Sequence, residues 1–381
     1  MLQNQSHLFS LEEGHTYLNG AYMSPQLKSV EAIGIESLKS KGRPYLISGE
    51  DFFSGRKKLR VKFAELVEVS DYNQAAIIPS VSYGIAVVTK NISLEKGAEI
   101  LVVDEQFPSH IYSWQKLADK YDAVLKTVSS PPVGEGRGKR WNKAILDAMN
   151  KKTAVVAMPH VHWADGTLFG LINIRSKATE VGAKLVIDGT QSVGALPFSV
   201  KEIQPDALIV GGYKWMLGPY ALGMAYFHES FNDGQPLEEN WINRKNSEDF
   251  SNLTNYQSDY QPGADRFSMG ESSNFNLTPM LSRSIEQLLD WGQDNIQSYC
   301  KSITDRGIDI LRSKGCFVED EAYRGNHLFG VYLPSHVDKN AIIQRLMDNN
   351  IYVSYRGDAI RVSPNVYNSE GEFLKFVDCI Y

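Results

Sequence analysis

Cysteine is scarce in this 381-residue chain, and the three residues present, Cys300, Cys316 and Cys379, form no C-x-x-C pair. Neither a disulfide framework nor a thiolate zinc site is expected from them. No apolar run approaches the ~20 residues that span a bilayer, and the first residues lack the basic and apolar regions of a secretion signal. We therefore expect a cytoplasmic protein that has no membrane as a partner.

Positive charge is also in the minority. The chain has 39 Lys and Arg residues against 45 Asp and Glu residues, which gives a formal net charge of -6. A surface that binds nucleic acid needs a basic patch, so nucleic acid is not an expected partner either. His160 and His162 lie two positions apart without the further ligands that zinc needs, and no metal site is predicted. Chemistry on a small molecule is the remaining expectation.

Short apolar runs alternate with amphipathic stretches from about residue 75 to residue 227. Runs that are apolar on both faces are typical of strands in a mostly parallel sheet covered by helices, which predicts an α/β fold. The stretches 141–150 and 174–182 predict two of these helices, the second of them ended by Gly182. The predicted strands are 75–78, 100–103, 154–158, 184–187, 207–210 and 218–227.

The last third of the chain has a different pattern, which predicts a small α+β domain at residues 285–381. Its predicted helices are 296–315 and 339–349, and its predicted strands are 327–333, 351–355 and 359–363. Residues 46–284 then form the large domain, and residues 1–45 are expected to pack back onto the small one. The polar, turn-rich segment 232–270 is expected to lie near the active site or a subunit interface.

Two predicted strands end in residues that carry chemistry. Asp188 follows the run 184–187, and Lys214 comes shortly after the run 207–210. Ligands of a doubly wound sheet bind at the carboxyl ends of its strands, so both side chains are expected at one site. Burial makes an unpaired carboxylate costly and makes a lysine a better nucleophile. Pyridoxal phosphate (PLP) needs this pair: the amine forms a Schiff base with its aldehyde, and the carboxylate keeps its pyridine nitrogen protonated.

The other strand ends carry groups with two interpretations each. Ser80 and Ser82 begin a predicted helix, where a serine is usually an N-cap but where hydroxyls and free N–H groups also form a phosphate cradle. Phe107 is normally a core residue at such a position, yet its ring is also suited to stack on the pyridine face. An isolated Lys214 would most often extend to solvent. Only the combination of these groups points to the cofactor.

Three sequence blocks occur together and in order. They are Tyr17-Leu18-Asn19-Gly20-Ala21, Asp188-Gly189-Thr190-Gln191-Ser192-Val193-Gly194 and Lys214-Trp215-Met216-Leu217-Gly218-Pro219. Together they resemble the class V aminotransferase family of fold-type I PLP enzymes, which includes cysteine desulfurases, selenocysteine lyases, kynureninases and isopenicillin-N-epimerase-like proteins. The resemblance implies a mostly parallel seven-stranded sheet covered by helices, a small C-terminal α+β domain, and a homodimer with its active site near the subunit interface.

The resemblance also implies roles for individual residues in holding PLP. Lys214 is the implied Schiff-base lysine and general base, and Asp188 is the implied partner of the pyridine nitrogen. Gln191 is expected to bind the ring 3-oxygen, and Phe107 to stack on the ring. The expected phosphate contacts are Ser80, Val81, Ser82 and Tyr213, with Ser272 and Ser273 reaching the phosphate from the partner subunit.

The substrate side is implied by a fourth block. The segment Ile360-Arg361-Val362-Ser363-Pro364-Asn365-Val366-Tyr367-Asn368 resembles the family's R-I-S-x-x-x-Y-N block, so Arg361 is expected to clamp the α-carboxylate of an amino acid. The further expected substrate contacts are Asn19, Ala21, His160 and Trp163. Trp163 replaces an asparagine of the family pattern, and Gly211 replaces a serine that often helps to bind phosphate.

The expected reaction passes through a carbanion at Cα of the amino acid, followed by transamination, epimerisation or elimination. Desulfurases carry a cysteine shortly before the substrate-binding arginine, whereas residues 353–361 contain none. This argues against cysteine desulfurase or selenocysteine lyase activity, which is kept as the alternative. A PLP-fold binding module without catalysis is the alternative from another class, and the intact Lys214, Asp188 and Arg361 argue against it.

Overall fold

The computed structural model describes residues 2–381, and its strands and helices are labelled here in chain order. The strands are β1 Thr16–Tyr17, β2 Ala75–Ile78, β3 Glu99–Val103, β4 Val124–Val128, β5 Thr153–Pro159, β6 Lys184–Asp188, β7 Ala207–Gly211, β8 Gly223–Phe227, β9 Phe329–Tyr332, β10 Ile351–Tyr352, β11 Ser354–Arg356 and β12 Ala359–Val362. The helices are α1 Lys28–Ser40, α2 Asp51–Leu66, α3 Val81–Lys90, α4 Tyr112–Tyr121, α5 Arg137–Ala148, α6 Leu171–Val181, α7 Val200–Ile203, α8 Leu277–Trp291, α9 Gln293–Ser313, α10 Lys339–Asp348 and α11 Glu370–Ile380.

A seven-stranded sheet forms the centre of the large domain, in the order β2-β8-β7-β6-β5-β3-β4. Strand β8 runs antiparallel to both of its neighbours, and the remaining pairs in the sheet are parallel. Successive residues of β3 enter opposite cores: Leu101 and Val103 join one hydrophobic cluster, while Ile100 and Val102 join the other. The continuous apolar runs are thus explained by burial on both faces, and the predicted fold class is confirmed.

Two elements of the sheet differ from the sequence-based prediction. Strand β8 begins at Gly223 and not at residue 218, because Ala221 has a φ angle of 66°, which a strand does not contain. Strand β4 was not predicted. It is the edge strand of the sheet, with Val128 as its buried residue, so it lacks the apolar run that marks the other strands.

The C-terminal part of the chain forms a third hydrophobic cluster around a three-stranded antiparallel sheet of order β11-β12-β9. Phe329 of the sheet packs edge-on against Phe373 of α11, with ring centroids 6.0 Å apart. The predicted strand 351–355 is two short strands, β10 and β11, separated at Val353. Strand β10 pairs with β1, and β11 pairs with β12. The break therefore allows consecutive residues of the chain to join two different sheets.

The N-terminal segment contacts both parts of the molecule. Strand β1 pairs in parallel with β10, and Asn4 Nδ2 donates to the carbonyl oxygen of Asn368 over 2.9 Å. Helix α1, in contrast, packs against α8. The boundaries proposed at residues 45 and 284 stay predictions, and the second of them lies within the continuous helix α8.

The segment 232–270 contains turns and two short 3₁₀ helices, Phe250–Asn252 and Gly263–Phe267. It is fixed to the large domain by a buried ion-pair cluster, in which Asp265 binds both Arg56 and Arg60 of α2. Near the end of the segment, the amide of Met269 donates to the carbonyl oxygen of Ile77 in β2 over 2.9 Å. Among residues 2–381, no helix combines the length and the apolar character needed to cross a bilayer.

Candidate active site

The candidate site lies where β6 and β7 end, because the loops that follow these strands touch each other. Gly194 closes the loop after β6 with a φ of 105°, and a Cβ atom at this position would lie 2.2 Å from the carbonyl oxygen of Trp215. Only glycine adopts this conformation at such a close approach. The loop that begins with Asp188 is therefore held directly against the loop that carries Lys214.

Lys214 is almost completely buried, with 7% of its surface exposed. Burial lowers the pKa of its amine to about 8, while Asp188 raises that pKa and Arg361 and Arg356 lower it further. Its Nζ lies 5.6 Å from the ring centroid of Phe107. The lysine is thus a desolvated amine beside an aromatic ring, and its neutral form, roughly a tenth of the total at pH 7, is far more abundant than for a solvated lysine.

Asp188 is the last residue of β6 and is 8% exposed. Its Oδ1 accepts a hydrogen bond from the amide of Thr190 over 2.9 Å. Within residues 2–381, no lysine, arginine or histidine nitrogen lies within 4.0 Å of its carboxylate. A buried carboxylate without a cationic partner is costly unless a ligand supplies one, and a protonated pyridine nitrogen is such a partner.

Gln191 connects three segments around the site. Its Nε2 donates to the carbonyl oxygen of Ala21 over 3.1 Å, and its Oε1 accepts from Trp215 Nε1 over 2.9 Å. The backbone carbonyl of Gln191 accepts a further bond from His327 Nε2 over 2.8 Å. The side chain is fixed in place, and the second hydrogen on Nε2 is left for the proposed contact with a ring oxygen.

The helix α3 presents its N-terminus at the same edge of the sheet. Ser80 is its N-cap and accepts a hydrogen bond from the amide of Tyr83 over 3.2 Å, while the Ser80 and Ser82 hydroxyls lie 2.9 Å apart. A Cβ atom on Gly84 would lie 2.6 Å from Ile209 of β7, so the glycine lets the helix lie close to the sheet. Exposed hydroxyls and first-turn N–H groups form an arrangement that suits a phosphate.

Arg361 occupies the opposite end of the site and is 1% exposed. Its two terminal nitrogens donate to the carbonyl oxygen of Trp163 over 2.7 Å and to the Ser354 hydroxyl over 3.2 Å. Ser354 in turn donates to Asn19 Oδ1 over 2.7 Å. Burial and the neighbouring Arg356 lower the pKa of Arg361 to about 9. Sequence blocks more than 330 residues apart thus form one hydrogen-bonded unit.

Aromatic side chains line the space between these groups. Phe107 is 38% exposed and meets Trp163 edge-on, with ring centroids 5.4 Å apart. Trp163 Nε1 donates to the carbonyl oxygen of Glu105 over 2.6 Å, which fixes the indole. The Tyr213 ring lies 5.5 Å from Lys214 Nζ and packs edge-on against Tyr220. The Lys214 amine thus lies between two aromatic rings, those of Phe107 and Tyr213.

Three predicted site residues point elsewhere within the chain. Ser273 Oγ donates to the carbonyl oxygen of Phe52 in α2 over 2.8 Å, and Ser272 is fully buried with no partner for its hydroxyl among residues 2–381. His160 packs edge-on against Phe198 and lines a cleft of ≈ 680 Å³ beside α5 and α6. A phosphate contact by the serines and a substrate contact by His160 stay predictions that the contacts within this chain do not support.

Several residues around the site escaped the sequence analysis. Ser24 Oγ donates to the carbonyl oxygen of Lys214 over 2.6 Å, and Thr190 Oγ1 accepts from the amide of Gly211 over 3.0 Å. Arg356 places its guanidinium carbon 5.3 Å from the ring centroid of Trp163. Only Arg356 carried a signal in the sequence, as a second arginine on the hairpin that ends in Arg361.

The three cysteines form no disulfide, and each is buried with its thiol close to a hydrogen-bonding group elsewhere in the described chain. Cys300 Sγ donates to the carbonyl oxygen of Pro364, Cys316 Sγ lies 2.8 Å from the Tyr381 hydroxyl, and Cys379 Sγ donates to the carbonyl oxygen of Arg345. Burial raises the pKa of all three thiols. They therefore lack the exposure and the thiolate character of a reactive cysteine.

Residues 39–370 match the family model described as aminotransferase class-V. The chain belongs to this family. Its cofactor is pyridoxal phosphate and it is an enzyme, so the family, the cofactor and the enzyme class expected from the sequence blocks are confirmed. The site fits this cofactor, because a buried carboxylate lacks a cation, a buried lysine has a lowered pKa, and a helix N-terminus is open at the same edge.

Proteins similar to this chain have names that describe different activities. An uncharacterized aminotransferase of Bacillus subtilis, YcbU, is 24% identical over 320 residues, which cover 84% of this chain and 81% of that protein. The apo cysteine desulfurase of Thermococcus onnurineus NA1 has a TM-score of 0.82 at 18% identity and covers 99% of this chain and 97% of that one. The cystine C-S lyase C-DES, solved with its product cysteine persulfide, has a TM-score of 0.83 at 19% identity over 97% of both chains. At these identities the two structures establish the fold.

Proposed function

We propose that Lys214, Asp188 and Arg361 form the centre of a site that binds PLP and an α-amino acid. Lys214 holds the cofactor covalently, Asp188 binds its pyridine nitrogen, and Arg361 binds the substrate carboxylate. The N-terminus of α3, with Ser80, Val81 and Ser82, holds the phosphate together with Tyr213. Gln191 and Phe107 contact the ring, and Trp163, Asn19 and Ala21 complete the substrate side.

One observation carries the proposal: three buried charged groups meet at one edge of the sheet without charged partners of their own. Asp188 and Arg361 both affect the pKa of Lys214, so the three groups share one electrostatic environment. No carboxylate oxygen lies within 4.0 Å of Arg361 among residues 2–381. A substrate amino acid would supply a carboxylate to Arg361, and bound PLP would supply a pyridinium to Asp188. These partners would offset the cost of burying both charged groups.

Bound PLP supplies an acceptor for the electrons that a bond at Cα releases. The residues of this chain determine which bond is broken. Arg361 fixes the carboxylate, so that Cα has one orientation relative to Lys214. With a pKa of about 8, the Lys214 amine is able to accept a proton from Cα near neutral pH when it is not bound to the cofactor.

Transamination, epimerisation and elimination all begin with this proton transfer, and each is compatible with the residues at the site. Persulfide formation on a protein thiol requires a cysteine within reach of the substrate. Cys300, Cys316 and Cys379 are buried and bound elsewhere, so this structure favours a reaction that uses no protein thiol. Cysteine desulfurase activity therefore stays the alternative, although proteins of that name share the fold.

We also propose that the enzyme is a cytoplasmic homodimer with its active site near the subunit interface. Exposed aromatic residues next to the site support an interface there. Tyr220 is 66% exposed and packs on Tyr213, and Tyr22 is 57% exposed and close enough to Tyr213 to raise its pKa. Free, buried thiols are compatible with a reducing compartment.

The proposal is tested by the visible absorption of the purified protein in the presence of PLP. We expect a yellow protein whose spectrum changes when amino acids are added. Lys214→Ala should lack the visible absorption of the bound cofactor, whereas exposed Lys152→Ala should retain it. Asp188→Asn should weaken cofactor binding, because the amide cannot stabilise a protonated pyridine nitrogen.

Two results would show that the proposed roles are wrong. One is an unchanged visible spectrum in Lys214→Ala. The other is a loss of cofactor in Arg361→Ala, which should weaken amino-acid binding and leave the cofactor in place. Release of sulfide from cysteine at a good rate, abolished by replacing one of the three thiols, would establish the desulfurase alternative instead.

A further inference from the structure

A second arginine stands beside Arg361, and the proposed function gives it no role. Arg356 ends β11, and Arg361 lies on β12 of the same hairpin. Arg356 Nη1 donates to the carbonyl oxygen of its neighbour Tyr355 over 2.7 Å, and its guanidinium carbon lies 5.3 Å from the Trp163 ring centroid. Since Arg361 donates to the Trp163 carbonyl, the two guanidinium groups contact the same residue.

Neither arginine has an anionic partner among residues 2–381. No carboxylate oxygen of the described residues lies within 4.0 Å of the buried Arg361 or the half-buried Arg356. Buried Arg324 also has none, whereas Arg56 and Arg60 bind Asp265 and Arg137 binds Asp165. The Nε atoms of Arg356 and Arg361 are both buried without a hydrogen-bond acceptor. Two unused donors are thus present in one site.

Asp188 offsets part of the charge of Lys214, but no such carboxylate among residues 2–381 is in contact with Arg356 or Arg361. Lys214, Arg356 and Arg361 are close enough that both arginines lower the pKa of the lysine, and Arg356 lowers the pKa of Arg361. Like charges held together in a partly desolvated site repel each other unless anions lie between them. The substrate α-carboxylate satisfies Arg361 and leaves Arg356 without a partner.

We propose that Arg356 binds an anionic group on the substrate side chain, so that the enzyme prefers α-amino acids that carry a second acidic group. The inference rests on the proposed function, because it takes Arg361 as the site of the α-carboxylate. A guanidinium suits this task, since its fork of N–H donors matches a carboxylate or phosphate. The Trp163 ring holds the guanidinium in place and shields the contact from water.

The competing explanation is that Arg356 only stacks on Trp163 and stabilises the loop. In that case the side-chain charge of the ligand would not matter. The two explanations differ in binding selectivity, which is measured without turnover. The PLP-loaded protein is titrated with L-aspartate against L-asparagine, with L-glutamate against L-glutamine, and with O-phospho-L-serine against L-serine, and each dissociation constant is taken from the change in the absorption spectrum.

We expect the acidic member of at least one pair to bind about tenfold more tightly or better, which is the scale of one added charge-assisted contact. Arg356→Gln should bring that ratio close to one by weakening the acid alone. Arg356→Lys should keep part of the preference, and Arg361→Gln should weaken both members of the pair. Arg306→Gln, the same change at an exposed position of α9, should leave all constants unchanged.

Equal binding of the acidic and neutral members in all three pairs would overturn the inference. So would a preference for the acid that persists in Arg356→Gln. The proposed function itself survives both of these results, because the spectrum still responds to amino acids. A loaded protein whose spectrum responds to none of the six compounds would instead count against the proposed function, and this inference would fall with it.

Discussion

His327 donates a hydrogen bond from Nε2 to the carbonyl oxygen of Gln191 over 2.8 Å, while its Nδ1 accepts one from Gln297 Nε2 over 3.0 Å. The two partners assign the proton to Nε2 and leave the ring neutral. Burial lowers the pKa of His327 to about 4, which agrees with a neutral ring. A residue just before β9 thus fixes the loop that joins Asp188 to Gln191.

The first prediction concerns stability in mild acid. Because the pKa of His327 is about 4 when folded and ~6.5 when unfolded, the unfolded chain binds more protons between these values. The free energy of unfolding should therefore fall as the pH drops below ~6.5, by ~1.4 kcal/mol per pH unit for each such histidine. His110, with a pKa of about 4, and His160, with a pKa of about 3, should add to the effect.

Urea unfolding between about pH 7 and about pH 5 measures this dependence. The slope should be smaller in His327→Gln, since one of the three rings whose pKa is lowered by burial is then absent. His336 is exposed, and His336→Gln should leave the slope as it is in the parent protein. Equal slopes in His327→Gln and the parent would show that the His327 ring is not held neutral by burial.

The second prediction concerns the contact between the two active-site loops. Gly194→Ala places a methyl group 2.2 Å from the Trp215 carbonyl oxygen at a φ of 105°, so the loops must separate. Gly97→Ala is the matched control, because Gly97 also has a positive φ but meets nothing within 4 Å. The control should lose ~1 kcal/mol of stability from the backbone conformation alone.

Gly194→Ala should lose clearly more stability than the control and should bind PLP more weakly. Thermal or urea unfolding of the two variants gives the comparison, and cofactor binding is measured by equilibrium titration of the apoprotein. Similar losses of stability in the two variants, with normal cofactor binding, would mean that the loops do not depend on this contact.

The third prediction concerns the Phe107 ring. Removing a stacked ring costs ~0.5–1.5 kcal/mol, so Phe107→Ala should weaken PLP binding by about twofold to tenfold. Phe107→Tyr keeps the ring and should bind the cofactor nearly as well as the parent. If Phe107→Ala binds PLP with unchanged affinity, the ring does not contact the cofactor.

The fourth prediction concerns the pH dependence of cofactor capture by the apoprotein. Only the neutral amine attacks an aldehyde, and burial lowers the pKa of Lys214 to about 8 from the ordinary value near 10.5. The capture rate, followed as growth of visible absorption, should rise with pH and level off above about pH 8. A rate that still rises steeply beyond about pH 9 would indicate an ordinary, solvated lysine.

The sequence predicted the features of the site that are local in the chain. Asp188 and Lys214 each follow a continuous apolar run, and the position of a residue at the end of a buried strand is encoded within a few neighbours. Edge strand β4 was missed because polar residues such as Lys126 and Thr127 interrupt any apolar pattern. Its existence follows from pairing with β3, which no local window contains.

Contacts between distant segments were equally invisible before the chain was folded. His327 and Gln191 are 136 positions apart, and no local sequence pattern around either residue predicts their hydrogen bond. The placement of Arg356 against Trp163 depends on the docking of the small domain on the large one. The resemblance that implied a substrate contact for His160 likewise did not predict that its ring packs on Phe198.

The covalent attachment point of PLP tests the central claim most directly. The loaded protein is treated with borohydride, digested, and analysed by peptide mass spectrometry, since reduction makes a lysine–cofactor link permanent. The account predicts one modified lysine, Lys214, and no modification when PLP is omitted. A cofactor attached to another lysine, or none attached to a protein that binds PLP, would contradict it.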